Sequence, residues 1–231
     1  EEGYEVPEFF QEDNDRVAQE TVANSSEKAI KAAEKAKVAL PPLETVQNIL
    51  NMPPRARYWY ELSSKSFTDL LKLPKEQLVK TINILSATSG GERPDPNMRQ
   101  ALSIASEVTR GVPIMTGTRT HPTTMRRALS ADLDSSKFGN FVNTFLYLMR
   151  EADTVPLPTN DRQVAALFGI DADELSSDDV YEYISNYYLA LRDVLNEKLP
   201  EGAQPFESWQ LQALGWVAVR PDSKVKKGQT E

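Results

Sequence analysis

A lysine, an aspartate and a run of arginines are the residues whose types and settings suit chemistry. Lys137 stands in Ser136-Lys137-Phe138, at the first turn of an amphipathic segment. A lysine amine becomes a nucleophile when burial or a neighbouring cation lowers its pKa. In the first turn of a surface helix it is instead a solvated charge, with Ser135 and Ser136 as caps. Asp161 stands in Thr159-Asn160-Asp161-Arg162. There Asn160 or Asp161 caps a helix by accepting its free N–H groups. A carboxylate at a helix start, where the macrodipole favours negative charge, also suits a cation developing in an adjacent pocket.

Residues 110–130 hold Arg110, Arg119, Arg126 and Arg127 and no acid. An acid-free basic loop either grips phosphates or is simply solvated. His121, in Thr120-His121-Pro122, is the one histidine. Without partner ligands it suits loop structure or a hydrogen bond, and in this setting a phosphate contact. Tyr58-Trp59-Tyr60, Tyr187-Tyr188, Trp209 and Trp216 suit base stacking, or equally a packed core. Tyr58 and Trp59 are the stacking candidates. The chain has no Cys. That removes disulfides, thiol catalysis, Cys-ligated zinc and iron–sulfur clusters. A single His excludes a His-rich metal site, and a Ser–His triad unless His121 is its base. Magnesium sites made of carboxylates alone stay open.

The elements that must position these groups read as helices. Residues 16–39, rich in Ala, Lys and Glu, predict a surface helix or connector that Pro41-Pro42 stops. The core begins near Ala56, where large groups crowd. Pro74 opens a helix with Leu78, Ile82 and Leu85 on one face. Asn97 reads as the cap of the next, which carries Leu102, Ala105 and Val108. Phe138, Phe141, Val142, Phe145, Leu148 and Met149 mark a central amphipathic helix. Val164, Leu167 and Phe168 face inward from a helix that Gly169 ends. Ser176-Ser177-Asp178-Asp179 starts another, with Tyr181, Ile184, Tyr188, Leu191 and Leu195 on one face; Pro205 precedes the last. The fold class is all-α, a multi-helix globular domain of roughly eight to ten helices.

Charge helps to divide the chain. Of 34 Asp+Glu against 26 Lys+Arg, seven acids and no base lie in residues 1–15, so the remainder is close to neutral. The expected organisation is an acidic tail over 1–15, a helical connector over 16–54, a globular domain over 55–220 and a polar tail over 221–231. Such tails are ordinarily solvated spacers. Glu1 in place of Met suggests a processed product or a segment of a longer chain. No stretch approaches the roughly 18 apolar residues of a membrane span, and no signal-peptide pattern is present. A cytoplasmic location in a host cell, or one within a virion, is expected.

Two segments together carry a family resemblance. Ile82-Asn83-Ile84-Leu85-Ser86-Ala87-Thr88-Ser89, followed by Asn97 and Ala101, resembles the early helix-and-loop signature of the endonuclease III-like superfamily of helical DNA glycosylases. Val155-Pro156-Leu157-Pro158-Thr159-Asn160-Asp161-Arg162, leading to Gly169, resembles the segment in which that family's catalytic Asp begins a helix. The run Ser136-Lys137-x-x-Asn140-Phe141 sits where the family's helix–hairpin–helix stands. The resemblance spans residues 56–220 and extends to helical domains encoded by bacteriophages. It implies a DNA partner and no cofactor, with base-excision or abasic-site lyase chemistry. Lys137 would attack the sugar carbon and Asp161 would stabilise the sugar cation. Arg119, His121, Arg126 and Arg127 would hold phosphates, and Tyr58 or Trp59 would stack. The alternative is a non-enzymatic phage structural or polyprotein module that binds other phage or virion proteins.

Overall fold

The computed structural model describes residues 6–71, 74–88, 94–118, 120–130, 136–150 and 152–219. Side chains are described along them except at 66–71, 75, 94, 95, 136–138 and 219. Among the described residues there are twelve α-helices, one 3-10 turn and no strand, so the fold is all-α. The chain divides into two compact units, one made of residues 1–60 and 157–231 and the other of residues 61–156. This division differs from the boundaries that composition suggests at 15 and 54.

Unit 1 is built on a long helix and one buried over most of its length. Its elements are α1 (Gln11–Asn24), α2 (Glu27–Ala36), α3 (Leu43–Leu50), α4 (Pro54–Arg57), α10 (Arg162–Leu167), a 3-10 turn (Ala172–Ser176), α11 (Asp178–Glu197) and α12 (Ser208–Val219). Ser177 caps α11 by accepting from Val180 N. The expected face is buried: Tyr181, Ile184, Tyr188, Leu191 and Leu195, joined by Val180, Tyr187 and Val194. Helix α12 is buried from Ser208 through Gly215. It packs on α3, α4, α10 and α11, so no side of this stretch is left for water.

Residues 6–39 belong to this packing. Phe9 and Val17 lie in the core of unit 1. Residues 16–36 form parts of two helices and not one, because Ser25 and Ser26 break them, and Lys37 ends the second; Ser26 Oγ accepts from Ala29 N and so starts α2. Both helices lie on α11. Ala29 and Ala33 pack there against Tyr183. Their small side chains bring α2 close, which is why a segment poor in large apolar groups is core. Asp13 accepts hydrogen bonds from Phe10 N and Lys198 Nζ. Burial opposes ionisation of Asp13, yet these two bonds and the charges of Lys198 and Arg16 set its pKa below the usual carboxylate value.

Unit 2 holds most of α5 (Trp59–Leu71), together with α6 (Lys75–Thr88), α7 (Pro94–Thr109), α8 (Pro122–Leu129) and α9 (Ser136–Leu148). Helix α6 is the centre; α7, α8 and α9 all pack on it, and Thr81 through Thr88 are buried without a break. Around it lie Ala101 and Ile104 of α7, Met125 and Ala128 of α8, and Phe141 and Phe145 of α9. Asn97 is not a cap, as its position suggests, but an interior residue of α7. Its amide donates to Leu85 O at 3.1 Å, and Thr88 Oγ1 bonds its Oδ1 at 2.5 Å.

Candidate functional site

Asp161 is the N-cap of α10. Its Oδ1 accepts from Gln163 N at 2.9 Å and Val164 N at 3.2 Å. The residues before it are latched to α11. Asn160 N donates to Tyr181 Oη at 2.9 Å, and that hydroxyl donates to Pro158 O at 2.9 Å. Asn160 Nδ2 donates to Tyr181 O and Ser185 Oγ. The helix ends as its sequence suggests. Gly169, at φ +67°, adopts a left-handed conformation that lets Ile170 N reach Ala165 O at 3.0 Å. Asp161 is therefore a built-in capping group.

A hydroxyl of α11 stands in the field of this carboxylate. Tyr188 Oη is buried and has no hydrogen-bond partner among the described residues. Burial, then Tyr187, then the Asp161 carboxylate hold the Tyr188 phenol well above the ordinary tyrosine pKa. Burial alone raises Tyr187 in the same way.

The other expected site residues fall out as follows. Lys137 belongs to α9 in unit 2, whereas Asp161 is in unit 1. The Lys137 side chain, Ser135 and Arg119 lie outside the described residues. Tyr58 donates to Gln204 Oε1 at 3.1 Å, and Trp59 meets Trp216 edge-on at 5.1 Å between centroids. Both aromatic side chains are half-buried in the packing of unit 1. His121 caps α8, its Nδ1 accepting from Thr123 N at 3.3 Å. On α8, Met125 and Ala128 are buried, Arg126 is exposed and Arg127 is half-buried.

The loop before α8 is held by an acid that sequence reasoning missed. Glu107 is buried on α7. Its Oε2 accepts from Met115 N at 3.1 Å and Thr116 N at 3.2 Å, and its Oε1 from Thr116 Oγ1 at 2.9 Å. Ser103 Oγ pairs with Thr116 Oγ1, and Gln100 Nε2 donates to Gly117 O. The loop thus runs back along α7. A signal was present: Glu107 stands three residues after Ile104, on the apolar face, where a carboxylate requires donors.

Unit 2 holds 12 Lys+Arg and 10 Asp+Glu, whereas the rest of the chain holds 14 against 24. Among the described residues no three His, Asp or Glu gather as a metal site, and no helix is long and apolar enough to cross a membrane. Compared with protein-family models, curated proteins and solved structures, the chain matches none.

Proposed function

We propose that the chain binds nucleic acid through unit 2, with residues 110–130 as its phosphate-contacting segment. The burial of Glu107 carries this reading. It is the acid nearest the segment on its N-terminal side, and its carboxylate is taken up by three donors from the loop. From Arg110 to Arg127 the sequence offers only basic charge. Arg126, exposed on α8, and Arg127, half-buried beside it, suit phosphate oxygens. The loop beside them is fixed, so little ordering is needed on binding.

Each phosphate neutralised by such a group releases condensed counterions and steepens the salt dependence of binding. Binding of a labelled duplex is therefore measured between roughly 50 and 200 mM salt. The Arg126→Ala/Arg127→Ala variant is expected to weaken binding and reduce the slope of log K against log salt by about 2. An unchanged slope, or no binding by the parent chain at the low-salt end, defeats the reading.

The catalytic form of this reading keeps the base-excision and abasic-site lyase chemistry that the resemblance implies, with the Lys137 amine as attacking group. Borohydride trapping on abasic DNA separates the two forms. A covalent adduct that disappears in Lys137→Ala supports the lyase. Binding with no adduct leaves a non-enzymatic nucleic-acid-binding module.

A further inference from the structure

The outer face of α7 carries a line of groups of which the sequence singled out Arg110 alone. Arg99, Ser103, Ser106 and Arg110 follow one another at helical spacing, and all four are exposed. From Arg99 to Arg110 the rise is about 16 Å along the axis. Arg110 Nε donates to Ser106 O, which holds the side chain along the helix. The acid of this stretch, Glu107, is buried, and its carboxylate is taken up by donors of the loop.

Beside this line runs the loop that Glu107 clamps. Its tip is apolar and open to solvent: Val112 is 43% exposed, Ile114 37% and Met115 81%. An exposed apolar tip on a slack loop would collapse onto the protein. Here the backbone is fixed on both sides. Val112 N bonds Glu107 O at the helix end, and Met115 N and Thr116 N bond the Glu107 carboxylate. The tip is thus presented in a set conformation next to a row of cations.

We infer that the Arg99–Arg110 face of α7 and the Ile114-Met115 tip form a second contact surface for a nucleic-acid duplex, with phosphates on the arginines and the tip against sugars and base edges in a groove. The inference rests on the nucleic-acid reading of unit 2 and adds to it a surface outside Arg126 and Arg127. Arginines and hydroxyls in line suit a row of phosphates, and a Met or Ile side chain suits the apolar walls of a groove. An anionic lipid surface fits less well, because an inserting tip needs more apolar area than these side chains offer.

The two parts of the surface have different signatures in one titration of the full chain with a labelled duplex. Arg99→Ala/Arg110→Ala is expected to lower the salt slope by about 2, as lost phosphate contacts do. Met115→Ala is expected to weaken binding roughly three- to tenfold with the slope unchanged, since it removes apolar contact and no charge. Both substitutions are on exposed side chains, and circular dichroism checks that the helices are kept. A parent-like slope in the arginine variant, or parent-like affinity in Met115→Ala, overturns the inference. If Arg126→Ala/Arg127→Ala still lowers the slope, the broader reading survives that failure; if the parent chain binds no duplex, both fall. Tighter binding to phosphatidylserine vesicles than to the duplex assigns the surface to membranes and overturns it also.

Discussion

Each unit has a helix with a fully buried stretch, residues 208–215 of α12 and 81–88 of α6, and the two differ in how their polar groups are satisfied. In unit 1 it is α12, whose partners come from far along the chain. Gln210 Oε1 accepts from Arg57 Nε at 3.1 Å across 153 positions. Arg57 also donates to Gln204 O and to Pro205 O, and its guanidinium lies 4.0 Å from the centre of the Phe206 ring. In unit 2 it is α6, where Thr81, Asn83 and Thr88 each bond the turn before them and only Thr88, of these three, also bonds a neighbouring helix, at Asn97 of α7. Thr81 Oγ1 reaches Gln77 O at 2.8 Å, Asn83 Nδ2 reaches Val79 O at 2.9 Å and Thr88 Oγ1 reaches Ile84 O at 2.9 Å. A bond within one turn persists while the helix does. A bond between distant segments needs both of them docked. Unit 1 therefore depends on anchors, and unit 2 is more tolerant at its polar positions.

The largest expected effect is Arg57→Ala. It removes the hydrogen bonds to Gln210, Gln204 and Pro205 and the contacts with the Tyr58 and Phe206 rings, leaving two carbonyls short of a donor and Gln210 Oε1 with Glu207 N, a loss of about 3 kcal/mol. Arg57→Lys is expected to recover less than half, because one ammonium cannot replace a planar fork. Trp59, Trp209 and Trp216 all lie in unit 1, so tryptophan fluorescence during denaturant unfolding follows that unit alone. A shift under about 1 kcal/mol in Arg57→Ala would break the contrast at its strongest point.

Alkaline pH separates the units next. Of eight tyrosines only Tyr147 is in unit 2. In unit 1, burial raises Tyr187 and Tyr188, and burial with Glu34 raises Tyr183. A raised folded-state pKa means the contribution is fully present below the unfolded value near 10 and is lost as pH climbs above it. Tyrosinate absorbance is expected to rise together with a tryptophan fluorescence change, while part of the helical signal remains. Tyrosines titrating freely near pH 10 with unchanged fluorescence would contradict this.

Sequence legibility follows the same contrast. Helix α11 was readable because Tyr181, Ile184, Tyr188, Leu191 and Leu195 form a stripe after a serine cap. The apolar residues of α12 form no stripe, because it is buried all round, and only its Trp and Leu content marked it. Helix α2 was misread because alanines make contact without looking apolar enough. The cap at Asp161 was legible from three residues. Glu107 is marked by its place on the apolar face, but its partners are not, because its donors arrive eight and nine positions later from an irregular loop.

A smaller effect is expected where α12 passes α11. A Cβ at Gly215 would stand 3.3 Å from Tyr188 Oη and 3.4 Å from Leu167 Cδ2. Gly215→Ala gains about 1 kcal/mol of helix propensity and loses somewhat more to crowding, for a net loss near 1 kcal/mol. Tyr188→Phe removes a hydroxyl without a described partner and is expected to be neutral or stabilising. In that background most of the crowding is relieved, and Gly215→Ala should be neutral to stabilising by up to about 1 kcal/mol. Additive losses in a double-mutant cycle would show that the hydroxyl is not what crowds the site.

The smallest expected effect tests the other side of the contrast. Thr81 is 1% exposed on α6, a burial at which loss of a hydrogen-bonding hydroxyl is ordinarily felt. Its bond goes to Gln77 O, one turn earlier on the same helix, where a backbone N–H of the helix is the regular donor. Thr81→Val keeps the shape, replaces a hydroxyl with a methyl and leaves that carbonyl with its regular helical donor, so stability should change by less than about 0.5 kcal/mol. Thermal unfolding followed by circular dichroism, which sees both units, measures it. A loss of about 2 kcal/mol would mean that the hydroxyl holds α6 to its neighbours, and the two central helices would then be alike in needing partners beyond themselves.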